Sequence, residues 1–364
     1  MSESTADVTL QINVCAGDVS YCDQTVPALV ETHRNQVREV VVVMDCCRPQ
    51  STPFVHQPSR FPHAAFAERL RQLDAQCARW LKDGVVNRVV RLDGEPEELY
   101  RINGKYTGVR AAFSHDHLGH ASSAYYLGWE AARTRYVLHF DGDILFHQQS
   151  GHSWVRQAVA TLEQDVRRLA VSPRISPPPQ RAVSDPLVNL SKMPACGWMS
   201  TWPLKPVPEG WSSPWFSTRC HLLDRERLAA LLPLTPARGR AAYLRAHRWN
   251  TLLAPLFEAR LWTLPVPDRG LWNPMLRLVR KLGFKVPEFP LPPEVLIHEH
   301  NQRQAVEVVY LSDPTAWFIH PHSKPEIFHR LLPGLLKSVS SGKFPASQGG
   351  MCDIEFGAWE SFLA

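Results

Sequence analysis

The stretch Arg135-Tyr-Val-Leu-His-Phe-Asp-Gly-Asp-Ile-Leu-Phe146 decides the fold. Tyr136 to Phe140 is short, apolar and aromatic, and it is bounded by charge on one side and Gly142 on the other, which predicts a buried strand. Two carboxylates, Asp141 and Asp143, stand where that strand ends. In open α/β sheets ligands gather at the carboxyl ends of the strands, so an acidic pair there is placed to meet a substrate. Two acids one residue apart, turned by a glycine, can hold a hard divalent cation, which takes oxygen ligands and brings phosphates with it. The plainer alternative is a polar strand end followed by a solvated turn.

Upstream, the pattern alternates strand and helix. Val8 to Val14 alternates and is β-branched, and it ends at Cys15-Ala-Gly-Asp18. Thr25 to Gln36 has helical periodicity. Val37-Arg-Glu-Val-Val-Val-Val-Met44 is the continuous apolar run of a parallel strand covered on both faces, and it stops at Asp45. Phe66 to Lys82 predicts an amphipathic helix with Leu70, Leu73, Cys77 and Leu81 on one stripe, and Val85 to Leu92 a third strand ending at Asp93-Gly94. This alternation is that of a doubly wound, mostly parallel sheet. Gly119 to Ala132 reads as a helix whose small residues Gly119, Ser122, Ala124 and Gly128 allow close approach to the sheet or to a nucleotide.

Downstream, Trp154 to Leu169 is helical and Ala170 to Arg174 a short strand. Pro173 to Pro214 is rich in proline and carries Trp198, Trp202 and Trp211, a Pro/Trp-rich insertion of the kind that forms functional lids. Phe216 to Leu223 reads as a strand and Asp224 to Leu232 as a helix capped by Asp224. Arg245 to Trp262, containing Glu258, and Met275 to Leu282 read as helices. Val295 to His298 reads as a strand leading into Glu299 and His300. These elements divide into a half over residues 1–172, a second half of the same domain over 173–305, and a C-terminal extension over 306–364.

Composition narrows the class. The chain has 364 residues, 44% hydrophobic and 21% charged, as a globular protein has. Its net charge of +5 is spread out, and no basic run argues for nucleic acid. The eight cysteines show no CxxC pairs with zinc spacing. Met1 to Asp7 has neither the basic end nor the apolar core of a signal peptide, and no apolar run reaches the length of a transmembrane segment. A reducing cytoplasm is the expected home.

Taken together, these residues resemble the nucleotide-sugar-dependent glycosyltransferases of the GT-A fold, of the family-2-like inverting kind, over about Val8 to His300. The resemblance rests on a second strand ending in Asp45, a Gly-x-Ala-x-x-Ala-x-x-x-Gly helix matched by Gly119, Ala121, Ala124 and Gly128, and the Asp141-x-Asp143 strand end. It implies a hexosyltransferase-like enzyme that moves a sugar from a nucleoside-diphosphate sugar to an acceptor hydroxyl. Asp45, Asp93, Gly119 and Asp141 would contact the donor. Asp143 would bind the metal, with His298 or His300 as the late ligand, and an imidazole ligand tilts the choice to Mn²⁺ over Mg²⁺. The acceptor hydroxyl needs a base, and Glu258 is the first candidate and Asp268 the second. The chain departs from the family at Asp45-Cys-Cys-Arg48, where Asp-Asp-Gly-Ser is usual, and it lacks the usual Glu-Asp catalytic pair. The alternatives are a sugar-phosphate nucleotidyltransferase, for which Ala16-Gly-Asp18 is too poor in glycine, and a non-catalytic carbohydrate- or nucleotide-binding protein on the same fold. Without the resemblance, Glu258 reads as a solvated helix face, Asp45 as a turn cap, and His298 and His300 as a structural pair.

Overall fold

A strand made almost wholly of valine needs cover on both faces, and the run Glu39–Asp45 finds it one strand in from the edge of a nine-stranded sheet, with Val41, Val42, Val43 and Met44 fully buried. Burying each such side chain is worth about 1.5–3 kcal/mol, which fixes the strand inside rather than at an edge. The computed structural model describes residues 7–52, 55–116, 119–179, 204–234 and 291–364, together with 241, 248, 252–256, 258 and 259.

In chain order the first part holds β1 (Val8–Cys15), α1 (Cys22–His33), β2 (Glu39–Asp45), α2 (His63–Lys82), β3 (Arg88–Leu92), α3 (Pro96–Thr107), α4 (Ser123–Ala131) and β4 (Tyr136–Asp141). Then come β5 (Leu145–Gln148), α5 (Trp154–Gln164), β6 (Arg168–Ser172), β7 (Lys205–Val207), β8 (Gly210–Ser213), β9 (Cys220–Asp224) and α6 (Arg225–Leu231). The last part holds α7 (Pro293–Gln304), β10 (Glu307–Leu311), β11 (Ala316–Ile319), α8 (Glu326–Ser340) and α9 (Phe356–Leu363). The main sheet runs β3-β2-β1-β4-β9-β6-β10-β8-β7, with β8 and β9 antiparallel to their neighbours and the β3-β2-β1-β4 half wholly parallel. The doubly wound, mostly parallel sheet expected from the sequence is therefore present. The strand order reverses direction in the chain between β3 and β4, and β1 and β4 lie side by side at that switch point. Asp141 and Asp143 stand at its carboxyl edge.

Several elements differ from the sequence reading. The helix expected from Gly119 begins only at Ser123, because Gly119 adopts φ +78° in a turn closed by the His120 N–H donating to Asp116 Oδ1. The helix expected to reach Leu169 stops at Gln164, and Arg168–Ser172 is a fully buried strand. Val295–His298 is not a strand but the first part of α7. Pro293 opens that helix, and the buried residues Pro293, Leu296, Ile297, His300 and Asn301 follow helical spacing. Asp224 caps α6 as expected, accepting from the backbone N–H of Glu226 and Arg227. The segment 306–364 is woven into the domain, since β10 lies inside the main sheet between β6 and β8. Trp211 is on β8, half-buried against the core, whereas Trp198, Trp202 and the helix expected over 275–282 lie outside the described residues.

Candidate active site

The site begins with the register of three strands. Gln11 of β1, His139 of β4 and His221 of β9 stand opposite one another in the sheet, and all three are buried. Side chains two apart on a strand share a face, so Asn13 and Asp141 continue this polar row toward the carboxyl edge. Helix α4 lies over the row, and Gly128 is what lets it approach. A Cβ there would meet the Gln11 side-chain amide at 2.7–2.9 Å. Gln11 bonds to Asn13 and to His139 Nδ1, and His139 Nε2 lies 3.2 Å from Asp141 Oδ1.

Three groups hold the Asp141 carboxylate. The Tyr125 hydroxyl on α4 donates to Oδ1 at 2.8 Å, His139 faces the same oxygen, and Arg219 donates to Oδ2 at 2.9 Å. Burial alone would push this carboxyl up, but the His139 bond and the Arg219 charge outweigh it and hold it below the ordinary carboxylate range.

Asp143 is built differently. Gly142 turns the chain between the two acids, with its N–H donating to Asn13 O at 2.9 Å, and a Cβ there would come within 2.9 Å of that same carbonyl oxygen. After the turn β5 pairs with β11, and the register Ile319↔Leu145 delivers the next residue, His320, to Asp143. His320 Nε2 lies 3.4 Å from Asp143 Oδ2, and Lys324 donates to the same oxygen. Asp143 Oδ1 is buried and takes no hydrogen bond. Burial raises this carboxyl, yet the charges and hydrogen bonds of His320 and Lys324 overcome burial and hold it far below the usual range.

Asp18, half-buried at the end of β1, completes the acidic edge. It accepts from the Tyr21 hydroxyl and from the Cys15 N–H at 2.8 Å. Burial first, and then the Asp143 charge, push its carboxyl up to about 6. Lys324 also sits over the Tyr21 ring, 5.7 Å from its centroid.

Among the described residues, the acid and histidine group arranged to hold a metal is Asp141, Asp143 and His320, with one ligand atom from each within 4.8 Å of the others. The donor set fits a divalent cation. A buried carboxylate oxygen without a partner and a neighbouring imidazole are what a Mn²⁺-type ion takes, and Asp141, which already accepts from Tyr125 and Arg219, is the weaker ligand. The histidine grouped with Asp143 is His320, and His298 and His300, expected as the late ligand, are not in that group. The His298 ring lies tilted against Trp215, with centroids 5.0 Å apart, and His300 is buried with Nε2 unbonded.

The other candidates are placed as follows. Asp45 is buried at the end of β2, its Oδ1 accepting from the Cys47 N–H while its Oδ2 has no hydrogen bond and faces His115 Nε2 at 3.6 Å. Asp93 is half-exposed and paired with Arg91. Glu258 is exposed, and its backbone oxygen, not its carboxylate, contacts His56 Nε2 at 2.9 Å. Asp268 lies outside the described residues. Sequence reasoning missed Asp18, Tyr125, Arg219, His320 and Lys324. Only His320 carried a signal, as the histidine directly after the apolar run Ala316-Trp-Phe-Ile319.

The fold and site define an α/β protein with a buried acidic strand end at the switch point of its sheet. Among the described residues, no helix is long and apolar enough to cross a membrane. No protein-family model matches the chain, and no curated protein does. Solved structures similar to it include glucosyl-3-phosphoglycerate synthase from Mycobacterium tuberculosis in complex with Mn²⁺, uridine diphosphate and glucosyl-3-phosphoglycerate. That likeness has 13% identity and a TM-score of 0.31, and covers 95% of this chain and 81% of that one. Another is the galactosyltransferase LgtC in complex with donor and acceptor sugar analogs, at 10% identity and a TM-score of 0.32, covering 91% of this chain and 95% of that one. An active-site mutant of LgtC gives 10% identity and a TM-score of 0.33 over the same shares. At such TM-scores the likeness carries no argument about activity, which has to come from the site.

Proposed function

We propose that this chain is a metal-dependent inverting glycosyltransferase, which moves a sugar from a nucleoside-diphosphate sugar to an acceptor hydroxyl. The observation that carries the reading is the Asp141-Gly142-Asp143 turn at the carboxyl end of β4, with His320 delivered to it and one Asp143 oxygen buried without a partner. Asp143 and His320 would hold the cation. When bound, a divalent cation there supplies Lewis-acid neutralisation of the charge that develops on a diphosphate leaving group.

The chain's own cations do the rest. Lys324 is paired to the very carboxylate that would bind metal, and with a cation held there its ammonium would be available to a diphosphate. Arg219 keeps Asp141 oriented and ionised. Asp45, whose buried Oδ2 takes no hydrogen bond and faces His115, would accept an N–H from the nucleobase. Inversion is supported by the state of the acids. Asp141 accepts from Tyr125 and Arg219 and Asp143 is paired with Lys324, so neither is the free carboxylate that a double displacement needs, which favours a single displacement by the acceptor.

One feature favours a second reading. Lys324 and Arg219 already neutralise both aspartates, so the same site could bind nucleotide sugars through these cations alone. A thermal-shift panel of nucleoside-diphosphate sugars, with Mn²⁺ and with EDTA, separates the two. Stabilisation that needs Mn²⁺ supports the metal-dependent reading, stabilisation surviving EDTA supports the second, and none in either condition removes both. The anomeric configuration of the product, read by NMR, tests inversion.

A further inference from the structure

The dipeptide Thr218-Arg219, which leads into β9, ties two carboxylates to one spot. Arg219 donates to Asp141 Oδ2 at 2.9 Å, and the neighbouring Thr218 hydroxyl donates to Glu294 Oε1 at 2.6 Å. Adjacent α-carbons stand only about 3.8 Å apart, so Glu294 is held near the Asp141 end of the acidic turn. It sits in the first turn of α7 and is half-buried, open enough to be reached by a substrate. Among the described residues no donor is assigned to its second oxygen. Its charge is felt by both Arg219 and Tyr125, the two groups that orient Asp141.

We propose that Glu294 is the general base of the transfer, the carboxylate that faces the acceptor hydroxyl; this rests on the glycosyltransferase reading above. The metal-binding side, built from Asp143, His320 and Lys324, gathers positive charge for the leaving diphosphate. The Glu294 side offers a carboxylate with one oxygen fixed and one free. In the step, the acceptor oxygen forms its bond to the sugar carbon as the bond from that carbon to the diphosphate oxygen breaks. The electron pair of the broken bond leaves with the diphosphate, and the acceptor proton passes to Glu294 and then to solvent. Among the described residues, exposed Glu258 has no comparable tie to the acidic turn.

The test needs no known acceptor, because water can serve as one. Hydrolysis of UDP-glucose, UDP-galactose, UDP-N-acetylglucosamine and GDP-mannose is followed with Mn²⁺ in the wild type, Glu294→Gln, Glu294→Asp and Glu258→Gln, with donor affinity measured alongside. Gln keeps the acceptor for Thr218, so the fold is retained, and thermal unfolding checks it. Glu294→Gln is expected to bind donor with unchanged affinity and to lose a factor of about 10² to 10⁴ in kcat. It should also lose the acidic limb of the pH–rate profile, which Glu294→Asp keeps. A purely structural role would lower stability without moving that limb. Wild-type turnover in Glu294→Gln, or the loss appearing in Glu258→Gln instead, overturns the proposal. A wild type that binds none of the four donors refutes the transferase reading itself, and the base assignment falls with it.

Discussion

Replacing Asp18 by asparagine isolates the electrostatics of the acidic edge. Its carboxyl is pushed up to about 6, by burial first and by the Asp143 charge second, from an ordinary value near 4. A raised carboxyl favours the folded state while it is protonated. Its contribution is fully present below the unfolded value near 4 and is lost as pH rises through about 6. At about 1.4 kcal/mol per pH unit the full span is about 3 kcal/mol, and screening at a half-buried position reduces it to about 2 kcal/mol. Asparagine removes the titration but can accept only one of the two hydrogen bonds from Tyr21 and Cys15, a loss of about 1 kcal/mol. The variant should therefore be less stable than wild type at pH 4 and more stable at pH 8, with the two curves crossing between. Urea unfolding of both proteins across that range reads the difference directly. A difference that stays constant with pH would refute the placement of a buried, negatively crowded Asp18.

Asp143→Asn should fold and yet lose all Mn²⁺-dependent thermal stabilisation by a nucleoside diphosphate; retained metal-dependent binding would remove Asp143 as a ligand. Lys324→Met leaves the Asp143 charge short of a partner and should destabilise the metal-free protein by up to about 3 kcal/mol. Because Asp143 is held low, its stabilisation is present above the unfolded carboxyl value and lost as pH falls, so acid unfolding of this variant should begin at higher pH than in wild type, as circular dichroism would show. The same variant should gain more stability from Mn²⁺ alone than wild type does and bind diphosphate more weakly, both readable by calorimetry. Gly128→Ala drives a methyl into the Gln11 amide and should cost about 1–3 kcal/mol in unfolding free energy, while a neutral result would mean that α4 shifts freely over the polar row.

Much of the sheet was legible because its signal is local. The valine run of β2, the alternation of β1 and the apolar stretch ahead of Asp141 each need cover that only an interior strand receives. The helix expected over 66–82 was read from one stripe; it spans His63–Lys82, and Leu73 and Cys77 of that stripe are buried. Strand ends were less legible. Val295 to His298 looked like a strand because four residues cannot tell a period of 2 from one of 3.6, and Pro293 with the burial of His300 and Asn301 settles it as a helix.

What the sequence determined by itself is the acidic turn: a buried strand, two carboxylates and a glycine between them, all within a few residues. Who would meet those carboxylates was decided by the tertiary structure. His320 and Lys324 lie far along the chain and reach Asp143 only because β11 pairs antiparallel with β5. Arg219 meets Asp141 only because β9 inserts beside β4, and Glu294 comes to the neighbouring Thr218 only because α7 docks on the loop before β9. The partners of a charge are chosen by distances of a few ångströms across the fold, and no spacing along the chain encodes those distances.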